Sequence, residues 1–147
     1  MDAKSSVFNG ASWPTFPTPG RVGYVRSMGR ITLFQYSKDA VEFKAGQVIF
    51  NRGDPAAHLY VVVDGEIQIE INGNLVGSVF PGEAFGEMAL IDRVPRSATA
   101  IAKVDSRVVA IDERRFLFMV AETPNFALQL MGTMADRLRA HNDRLVQ

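Results

Sequence analysis

The stretch EIQIEINGNLVGSV, residues 66–79, alternates polar and apolar residues up to a central Asn-Gly pair. Ile67, Ile69 and Ile71 fall on one face of an extended chain, because successive side chains of a strand point to opposite faces. Asn-Gly is the dipeptide that best supplies the positive φ angles of a two-residue hairpin turn. The stretch therefore predicts two antiparallel strands joined by a tight turn.

The same pattern continues on both sides of this hairpin, from Val41 to Asp112. Short runs rich in β-branched and aromatic residues, such as QVIF, HLYVVVDG and RVVAID, alternate with glycines that mark turns. Six to eight such strands bury a common core when they close into a sandwich or barrel. We predict a mainly β fold, an antiparallel β-roll or jelly-roll barrel over about residues 41–112, followed by two C-terminal helices over about residues 112–146.

The first of these helices is predicted by the run DERRFLFMVAE. Its acidic residues suit a helix N-terminus, where the helix dipole favours negative charge. Phe116, Met119 and Val120 then fall on one apolar face at helical spacing. This face is the part of the helix that we expect to pack on the barrel.

The second helix carries an apolar seam with the 3-4-3-4 spacing of a coiled coil. Thr123 suits its N-cap and Pro124 its first helical position. The seam residues are Met131, Met134, Leu138, His141 and Leu145. Such a seam packs either on the barrel or on a second copy of the helix, so a homodimer through the C-terminal helix is one of two open arrangements.

Length and composition indicate one domain, which we place at residues 23–147. The chain has 147 residues, of which 47% are hydrophobic, and this suits one core better than two. Residues 1–22 are rich in Ser, Thr, Gly and Pro and predict an irregular N-terminal segment. Whether Trp13 and Phe16 in that segment dock on the domain stays open.

Charge and cysteine content narrow the classes of function. Lys plus Arg equals Asp plus Glu at 16 each, so net charge gives no general reason to bind nucleic acid or an anionic membrane. There are no cysteines, which excludes disulfide frameworks and thiolate metal sites. The sequence has no signal-peptide pattern and no apolar run near the roughly 20 residues of a spanning helix. We expect a cytoplasmic protein with no nucleic-acid or membrane partner.

A second stretch, FGEMALIDRVPRSATA at residues 85–100, carries candidate binding chemistry. Gly86 permits close backbone approach, and a short helix after it would present free amide groups to an anion. Arg96 offers a charged planar fork to a phosphate, with the Ser97 hydroxyl beside it. Glu87 can only accept hydrogen bonds and so suits a sugar hydroxyl. This set predicts a phosphate fused closely to a sugar; the alternative is a surface ion pair between Arg96 and Glu87.

The stretch resembles the phosphate-binding cassette of the cyclic nucleotide-binding domain family, whose pattern is Gly-Glu-x-Ala-Leu, a spacer, and Arg-Ser/Thr/Ala-Ala-Thr. The upstream FKAGQVIFNRGDPAAHLYVVVDGEIQI is similar to the barrel signature of that family, and the likeness covers about Val41 to Val146. The resemblance implies a β-roll that holds cAMP or cGMP.

The resemblance also implies a role for each residue of the cassette. Arg96 would pair with the cyclic phosphate, helped by Ser97 and the backbone at Ala89. Gly86 and Glu87 would hold the ribose 2′-hydroxyl. Members selective for cGMP carry Thr at the position of Ser97, but some cAMP receptors have Ser there, and we expect cAMP in preference to cGMP.

The last helix of this family closes over the purine as a lid. The cassette looks similar to those of bacterial cyclic nucleotide-gated channels, in which an arginine of that helix lies against the base. Aligning the helix-starting prolines gives Arg137 this role. The alternative is a solvated helix face, because Asp136 and Arg139 are its neighbours.

Other members of the family carry output segments that this sequence lacks. It has no helix-turn-helix after the lid helix, no transmembrane helices and no tandem second domain. We therefore expect a sensor module that signals to a separate effector protein. The alternative is a protein-interaction scaffold that keeps the fold and binds no nucleotide.

The sequence offers little to an enzyme or a metal. Its two histidines, His58 and His141, are far apart and on unlike predicted elements, a turn and the helix seam. Glu87 with Asp92 does not make a convincing acid and base pair for phosphodiester hydrolysis. We expect no catalytic residues, no metal and no cofactor apart from the nucleotide ligand.

Overall fold

The computed structural model of the protein describes residue 31 and residues 33–146. The strands are β1 (Val41–Phe43), β2 (Val48–Phe50), β3 (His58–Asp64), β4 (Ile67–Ile71), β5 (Asn74–Val79), β6 (Ala84–Phe85), β7 (Thr99–Ala102) and β8 (Ser106–Asp112). The helices are α1 (Met88–Ile91), α2 (Glu113–Glu122) and α3 (Asn125–Val146). The predicted irregular segment at residues 1–22, including Trp13 and Phe16, lies outside the described residues.

The strands form two antiparallel sheets, with orders β1-β8-β3-β6 and β2-β7-β4-β5. Their pairings are nested: β4 pairs with β5, β3 with β6, β2 with β7 and β1 with β8. A long hairpin rolled up on itself gives this pattern, and its innermost pair is the hairpin at residues 66–79. The predicted antiparallel β-roll is confirmed.

The tip of the hairpin has the conformation that its residues predict. Asn72 and Gly73 both have positive φ, at 53° and 81°. Ile71 lies opposite Asn74 across the turn, so the loop has two residues. Local turn chemistry therefore sets the register of the two strands next to the turn, as far as the irregularity between Ile69 and Glu70.

Strand β3 is covered on both of its faces, which divides the core in two. Val62 packs inside the roll with Ile67 and Phe85. Leu59 and Val61 face the other way, into a cluster that the C-terminal helices close. That second cluster also contains the buried side chains of Ile31 and Phe34, from the segment before β1.

Helix α2 begins as its sequence predicts. The Asp112 side chain accepts a hydrogen bond from the Arg115 amide at 2.8 Å, which caps the helix. Met119 is buried, and Phe116 and Val120 pack against the same cluster. The predicted apolar face is confirmed.

Helix α3 begins at Asn125, one residue later than predicted. Thr123 is the C-cap of α2, and its amide donates to the Met119 carbonyl at 2.8 Å. The Thr123 carbonyl then accepts from the Phe126 amide at 2.9 Å. Two helices thus meet at Thr123-Pro124, and a tight link holds α3 against α2.

Only one residue of the predicted α3 seam packs on the domain in the described part of the chain, and packing of the others on a second copy stays a prediction. Met134 packs against the core cluster under the helices. Met131, Leu138 and His141 are exposed to solvent. The surroundings of the Leu145 side chain lie outside the described part of the chain. The 3-4-3-4 spacing that contains Met134 therefore runs across the boundary between the packed and open faces of the helix.

Candidate functional site

A cavity of about 410 Å³ lies between the second sheet, residues 85–98 and helix α3. Phe50, Ile69 and Val76 line it from the strands, and Ala140 from the helix. The predicted site residues that line it are Gly86, Glu87, Ala89, Arg96, Ser97 and Arg137. The fold thus brings all six predicted residues to one cavity, which we call the cassette cavity.

Arg96 is the most buried charged residue of the cavity, with 7% of its surface exposed. Its Nη2 donates to the His58 carbonyl at 2.7 Å and its Nη1 to the Gly86 carbonyl at 3.1 Å. The guanidinium carbon lies 4.0 Å from the centre of the Phe50 ring. Carbonyl oxygens and an aromatic face therefore hold the cation, so the surface ion pair with Glu87 that the sequence left open is wrong.

The charge of Arg96 has no carboxylate partner among the described residues, and its Nε–H donates to nothing there. Burial lowers the pKa of Arg96, because desolvation disfavours the charged form. Arginine nevertheless stays charged in proteins at neutral pH. A buried, permanent cation with an unpartnered donor has the chemistry to bind an anion.

The backbone around Arg96 is fixed by the turn between β2 and β3. The Arg96 amide donates to the Asp54 carbonyl at 2.9 Å, and the Gly53 amide donates to the Arg96 carbonyl at 2.8 Å. Gly53 has a φ of +90°, which favours glycine at this position. The Gly-Asp pair of the upstream signature therefore positions the arginine of the cassette.

Gly86 leaves the space that the Arg96 guanidinium occupies. Its φ is +75°, and a Cβ built on it would lie 2.6 Å from Arg96 Nη1. Any side chain at this position would combine a strained backbone with a displaced guanidinium. Glycine is therefore needed here for both conformation and space.

Gly86→Ala is expected to weaken anion binding in the cavity by roughly tenfold or more, about 1.4 kcal/mol, because the added methyl group moves Arg96. Titration calorimetry with a cyclic nucleotide measures the effect. Gly46→Ala is the matched control, since Gly46 has a φ of +85° but open space around its Cβ. Equal affinity in the two variants would contradict the steric role of Gly86.

Glu87 and Arg137 form an ion pair across the cavity. Arg137 Nη1 lies 2.7 Å from Glu87 Oε1, and the Glu87 side chain is only 15% exposed. Arg137 Nη2 is buried without a partner in the described part of the chain. The structure thus brings Arg137 to the acidic residue of the cassette, a contact that the sequence did not indicate, because it joins residues fifty positions apart on different elements.

Ala89 and Ser97 lie at the same end of the cavity as Arg96. The Ala89 amide donates to the Gly86 carbonyl at 3.2 Å, at the start of the four-residue helix α1. A bound anion would share or replace that weak bond. Ser97 is exposed, and its hydroxyl makes no hydrogen bond to another described residue. This hydroxyl is therefore available to a ligand.

Sequence reasoning missed the partners that hold Arg96 in place. Phe50 was recognised only as part of a strand, and His58 was expected in a turn, whereas it is the first residue of β3. The backbone carbonyl of His58 accepts a hydrogen bond from Arg96. Every residue has such a carbonyl, so the amino-acid type at this position could not predict the contact. The aromatic character of Phe50 is the one signal that could have suggested a cation-binding surface.

A metal centre was not expected, and the two histidines lie on different elements, β3 and α3. Within residues 31 and 33–146, no group of three or more His, Asp or Glu side chains could hold a metal ion. No helix in this part of the chain combines the length and the apolar character that crossing a membrane requires.

Comparison with known proteins identifies the family. The chain matches the family described as cyclic nucleotide-binding domain over residues 40–123, more than half of its length. The protein therefore belongs to the cyclic nucleotide-binding domain family, and the stretch at residues 85–100 is the cassette of its fold.

Several relatives support this assignment. The chain is 30% identical over 110 residues to the CRP-like cAMP-activated global transcriptional regulator of Mycobacterium tuberculosis, covering 71% of this chain and 49% of the relative. It is 39% identical over 83 residues to the cAMP-dependent protein kinase regulatory subunit of Debaryomyces hansenii, covering 55% and 18%. It spans about half or less of the length of these curated relatives.

A solved structure supports the fold separately. The cyclic nucleotide-binding domain from Methylobacillus flagellatus superimposes with a TM-score of 0.62 at 23% identity, covering 73% of this chain and 65% of that one. At this identity the likeness concerns the fold, a β-roll followed by C-terminal helices.

Proposed function

We propose that the protein is a receptor for a cyclic nucleotide, cAMP in preference to cGMP, and that it has no catalytic activity. In this proposal Arg96, Ser97 and the backbone amide of Ala89 bind the cyclic phosphate. Gly86 and Glu87 bind the ribose, and the purine lies toward the apolar mouth of the cassette cavity.

The observation that carries the proposal is the buried Arg96 guanidinium, which has no carboxylate partner in the part of the chain that the structure describes. Arg96 is 7% exposed and lines the cavity, and its Nε–H has no hydrogen-bond partner among the described residues. A cyclic phosphate diester carries one negative charge and oxygen acceptors, which complement the charge and the spare donor. A ligand without an anionic group would leave this charge buried and unpaired.

The acidic residue supports the sugar part of the ligand. Glu87 is largely buried, and its ion pair with Arg137 engages Oε1. Oε2 accepts no hydrogen bond from another described residue and can accept one from a ribose hydroxyl. The Glu87 carboxylate is negatively charged and only accepts hydrogen bonds, so it disfavours a second phosphate and favours a hydroxyl group.

The preference for cAMP rests on the relatives. The regulator from M. tuberculosis is named as cAMP-activated, and the kinase subunit from D. hansenii as cAMP-dependent. The single hydroxyl of Ser97 does not discriminate by itself, because a hydroxyl can donate to or accept from either purine.

The proposed output passes through helix α3. Arg137 belongs to α3 and contacts Glu87, so a ligand that engages Glu87 acts on the helix. By binding one arrangement of α3 better than another, the ligand shifts the population between them. We propose a separate effector protein as the reader of this shift, a second copy of the chain as a further partner through α3, and the cytoplasm as the compartment.

Titration calorimetry with cAMP, cGMP and 5′-AMP tests the proposal. We expect saturable 1:1 binding of cAMP, weaker binding of cGMP, and much weaker binding of 5′-AMP, whose phosphate is not fused to the sugar. The titrations are run at two temperatures, because a binding enthalpy close to zero at one temperature would hide binding there. Lack of binding of both cyclic nucleotides, by folded protein freed of bound nucleotide, would refute the receptor.

The second candidate function is a nucleotide-independent interaction scaffold. It is favoured by the exposed apolar residues of the helices, among them Leu117 at 59% and Phe118 at 63%. It does not explain why Arg96 is buried without a carboxylate. The calorimetric titration separates the two functions.

A double-mutant cycle tests the role of the pair between Glu87 and Arg137. We expect Glu87→Gln and Arg137→Met each to lower nucleotide affinity about 5- to 30-fold. The double variant should lose less than the product of the two effects, with a coupling of about 0.5–3 kcal/mol. Calorimetry of the four proteins measures the cycle.

The same cycle examines the predicted contact of Arg137 with the base. If Arg137 acts on the purine alone, its removal should have the same effect in the presence and absence of the Glu87 carboxylate, and the two losses should multiply. Arg139→Met is the control on the same helix, because Arg139 pairs with Asp136 at 2.6 Å instead. A comparable loss in that variant would indicate a general effect of helix charge.

A further inference from the structure

Helix α2 is apolar on both of its sides. Met119 is buried, and Phe116 and Val120 pack against the core cluster under the helices. Leu117 and Phe118 are nevertheless exposed to solvent. A surface helix normally has one apolar face and one polar face, and a helix that is apolar all round is normally buried. The exposed side of α2 therefore has the composition of a contact surface.

The exposed side of α2 consists of residues at the spacing i, i+3, i+4 and i+7. Arg114, Leu117, Phe118 and Ala121 are all exposed. At 3.6 residues per turn they lie within about 100° of one another, on the side of the helix opposite Met119. We call these four residues the α2 outer face. Three of them are apolar, and the fourth is a cation at the N-terminal end of the face.

The charge of Arg114 is not compensated within the described part of the chain. Its neighbours in the first turn are paired, Glu113 with Arg93 and Arg115 with Asp39. Arg114 is exposed and forms no ion pair with another described residue. Because the N-terminus of a helix carries partial positive charge, a cation in the first turn is unfavourable. A carboxylate from outside the domain would stabilise this end of the helix.

The α2 outer face adjoins the cassette at residues 85–100. Arg93 of the cassette pairs with Glu113, the first residue of α2. Glu113 lies about one helical turn before Leu117. Ile91 and Val94, on either side of Arg93, are exposed as well. A segment bound along the face can therefore contact the cassette at one of its ends.

We propose that the α2 outer face binds an amphipathic helical segment of a separate protein, with an acidic side chain of that segment opposite Arg114. Helix α2 has ten residues and is about 15 Å long, so the face suits one segment rather than a whole domain. Apolar residues at helical spacing on the segment would cover Leu117 and Phe118. The acidic side chain would supply the counter-charge that Arg114 lacks.

A second copy of the same face does not have this chemistry. The face contains no acidic residue. Two parallel copies would bring Arg114 opposite Arg114, and like charges in contact are unfavourable. Two antiparallel copies would place Arg114 opposite Ala121, which offers no carboxylate. Charge complementarity therefore favours a different protein as the occupant.

A displayed library of helical peptides supplies the probe. The peptides have roughly 15 residues, near the length at which an isolated helix becomes stable in water. The library is selected on the full chain, and affinities of the enriched peptides are measured by fluorescence anisotropy. We expect the enriched peptides to share an apolar face and an acidic residue. Leu117→Glu should weaken their binding roughly tenfold or more.

Leu138→Glu is the matched control, because Leu138 is 61% exposed on α3 and Leu117 is 59% exposed on α2. This control should bind the enriched peptides as tightly as the original chain does. Circular dichroism of the variants verifies that both are folded. Failure of the library to yield any enriched peptide, or equal affinity for Leu117→Glu and the original chain, would overturn the proposal.

A charge exchange tests the acidic side chain of the segment. Arg114→Glu should weaken the enriched peptides roughly fivefold or more. Replacing the acidic residue of the peptide by lysine should restore binding to this variant and weaken binding to the original chain. Enriched peptides that contain no acidic residue, or that bind Arg114→Glu unchanged, would overturn the assigned chemistry.

Two further measurements examine the other occupants of the face. Sedimentation equilibrium tests a second copy, and co-sedimentation with vesicles of phosphatidylserine and phosphatidylcholine tests a membrane. We expect Leu117→Glu to leave both results unchanged. A dimer or a vesicle complex that is lost in this variant and kept in Leu138→Glu would give the face to that occupant and overturn the proposal.

The segment would belong to the effector proposed above, and in that respect the inference rests on the proposed function. Equal peptide affinity with and without saturating cAMP, in a chain that binds cAMP, would overturn this link to the effector. Peptide binding that requires Leu117, in a chain that binds no cyclic nucleotide, would refute the receptor and keep the docking face. Binding of cAMP in a chain that enriches no peptide would keep the receptor and refute the docking face.

Discussion

Replacement of Arg96 by alanine is expected to reduce affinity for cAMP by roughly 30-fold to several thousand-fold, about 2–5 kcal/mol. Arg96 is 7% exposed, and among the described residues its guanidinium has an unpartnered Nε–H and no carboxylate partner, so we expect the phosphate to be its anionic partner. Removing the cation leaves a desolvated phosphate without a counter-charge. Titration calorimetry against the unaltered chain measures the loss.

Arg107→Ala is the control for this prediction. Arg107 is also an arginine of the roll, but it pairs at the surface with Asp64 at 2.5 Å and does not line the cavity. Arg96→Lys should recover part of the affinity, because it keeps a charge but loses the planar fork. Unchanged affinity in Arg96→Ala, with the circular dichroism of a folded roll, would remove the phosphate from this end of the cavity.

Replacement of Phe126 by alanine is expected to lower the free energy of unfolding by about 3–5 kcal/mol. Phe126 is fully buried at the start of α3. Its ring meets Phe34 and Phe116 edge-on, with centroids 6.1 and 5.7 Å apart. The substitution removes these contacts and opens a cavity where α2, α3 and the segment before β1 converge.

Urea unfolding followed by far-UV circular dichroism measures this loss of free energy of unfolding. Phe118→Ala is the matched control, since Phe118 is 63% exposed on α2 and should cost less than about 1 kcal/mol. Similar losses in the two variants would mean that α3 is not anchored through Phe126. A selective loss would show that Phe126 anchors α3 on the domain.

The sequence was sufficient for those parts of the fold that local chemistry determines. The Asn-Gly turn at positions 72 and 73, the alternation around it and the aspartate cap at Asp112 each depend on residues close together in the chain. Their structures follow the prediction closely, to within a residue at the helix starts. The order of strands in the two sheets depends on pairings between residues far apart in the sequence. The sequence therefore predicted the class of fold but not the strand order.

The candidate site was predictable as a set of side chains but not as a set of contacts. Residues 86, 87, 89, 96 and 97 belong to one short motif, and the fold brings them to one cavity together with Arg137. The groups that hold Arg96 are mainly backbone carbonyls, and residue identity carries no information about which carbonyls are free. The contact between Glu87 and Arg137 requires knowledge of how α3 crosses the cavity.

The seam of α3 shows where periodicity misleads. Met134 and Leu138 are both apolar and four positions apart, so spacing alone places them on one face. In the structure Met134 packs toward the roll and Leu138 is exposed. Two overlapping apolar stripes share one helix, and only the position of the roll tells which of them is open.

The nested pairing of the strands also has a consequence for the order in which the protein folds. The hairpin of β4 and β5 is local and can form early, whereas β1 must wait for β8, so that Val41 can meet Val108. Arg96 gains its support from Gly53, Asp54 and the His58 carbonyl only when the outer strands close. We therefore expect ligand recognition to emerge at the end of folding, so that a nascent or partly assembled chain has the hairpin but cannot yet sense its signal.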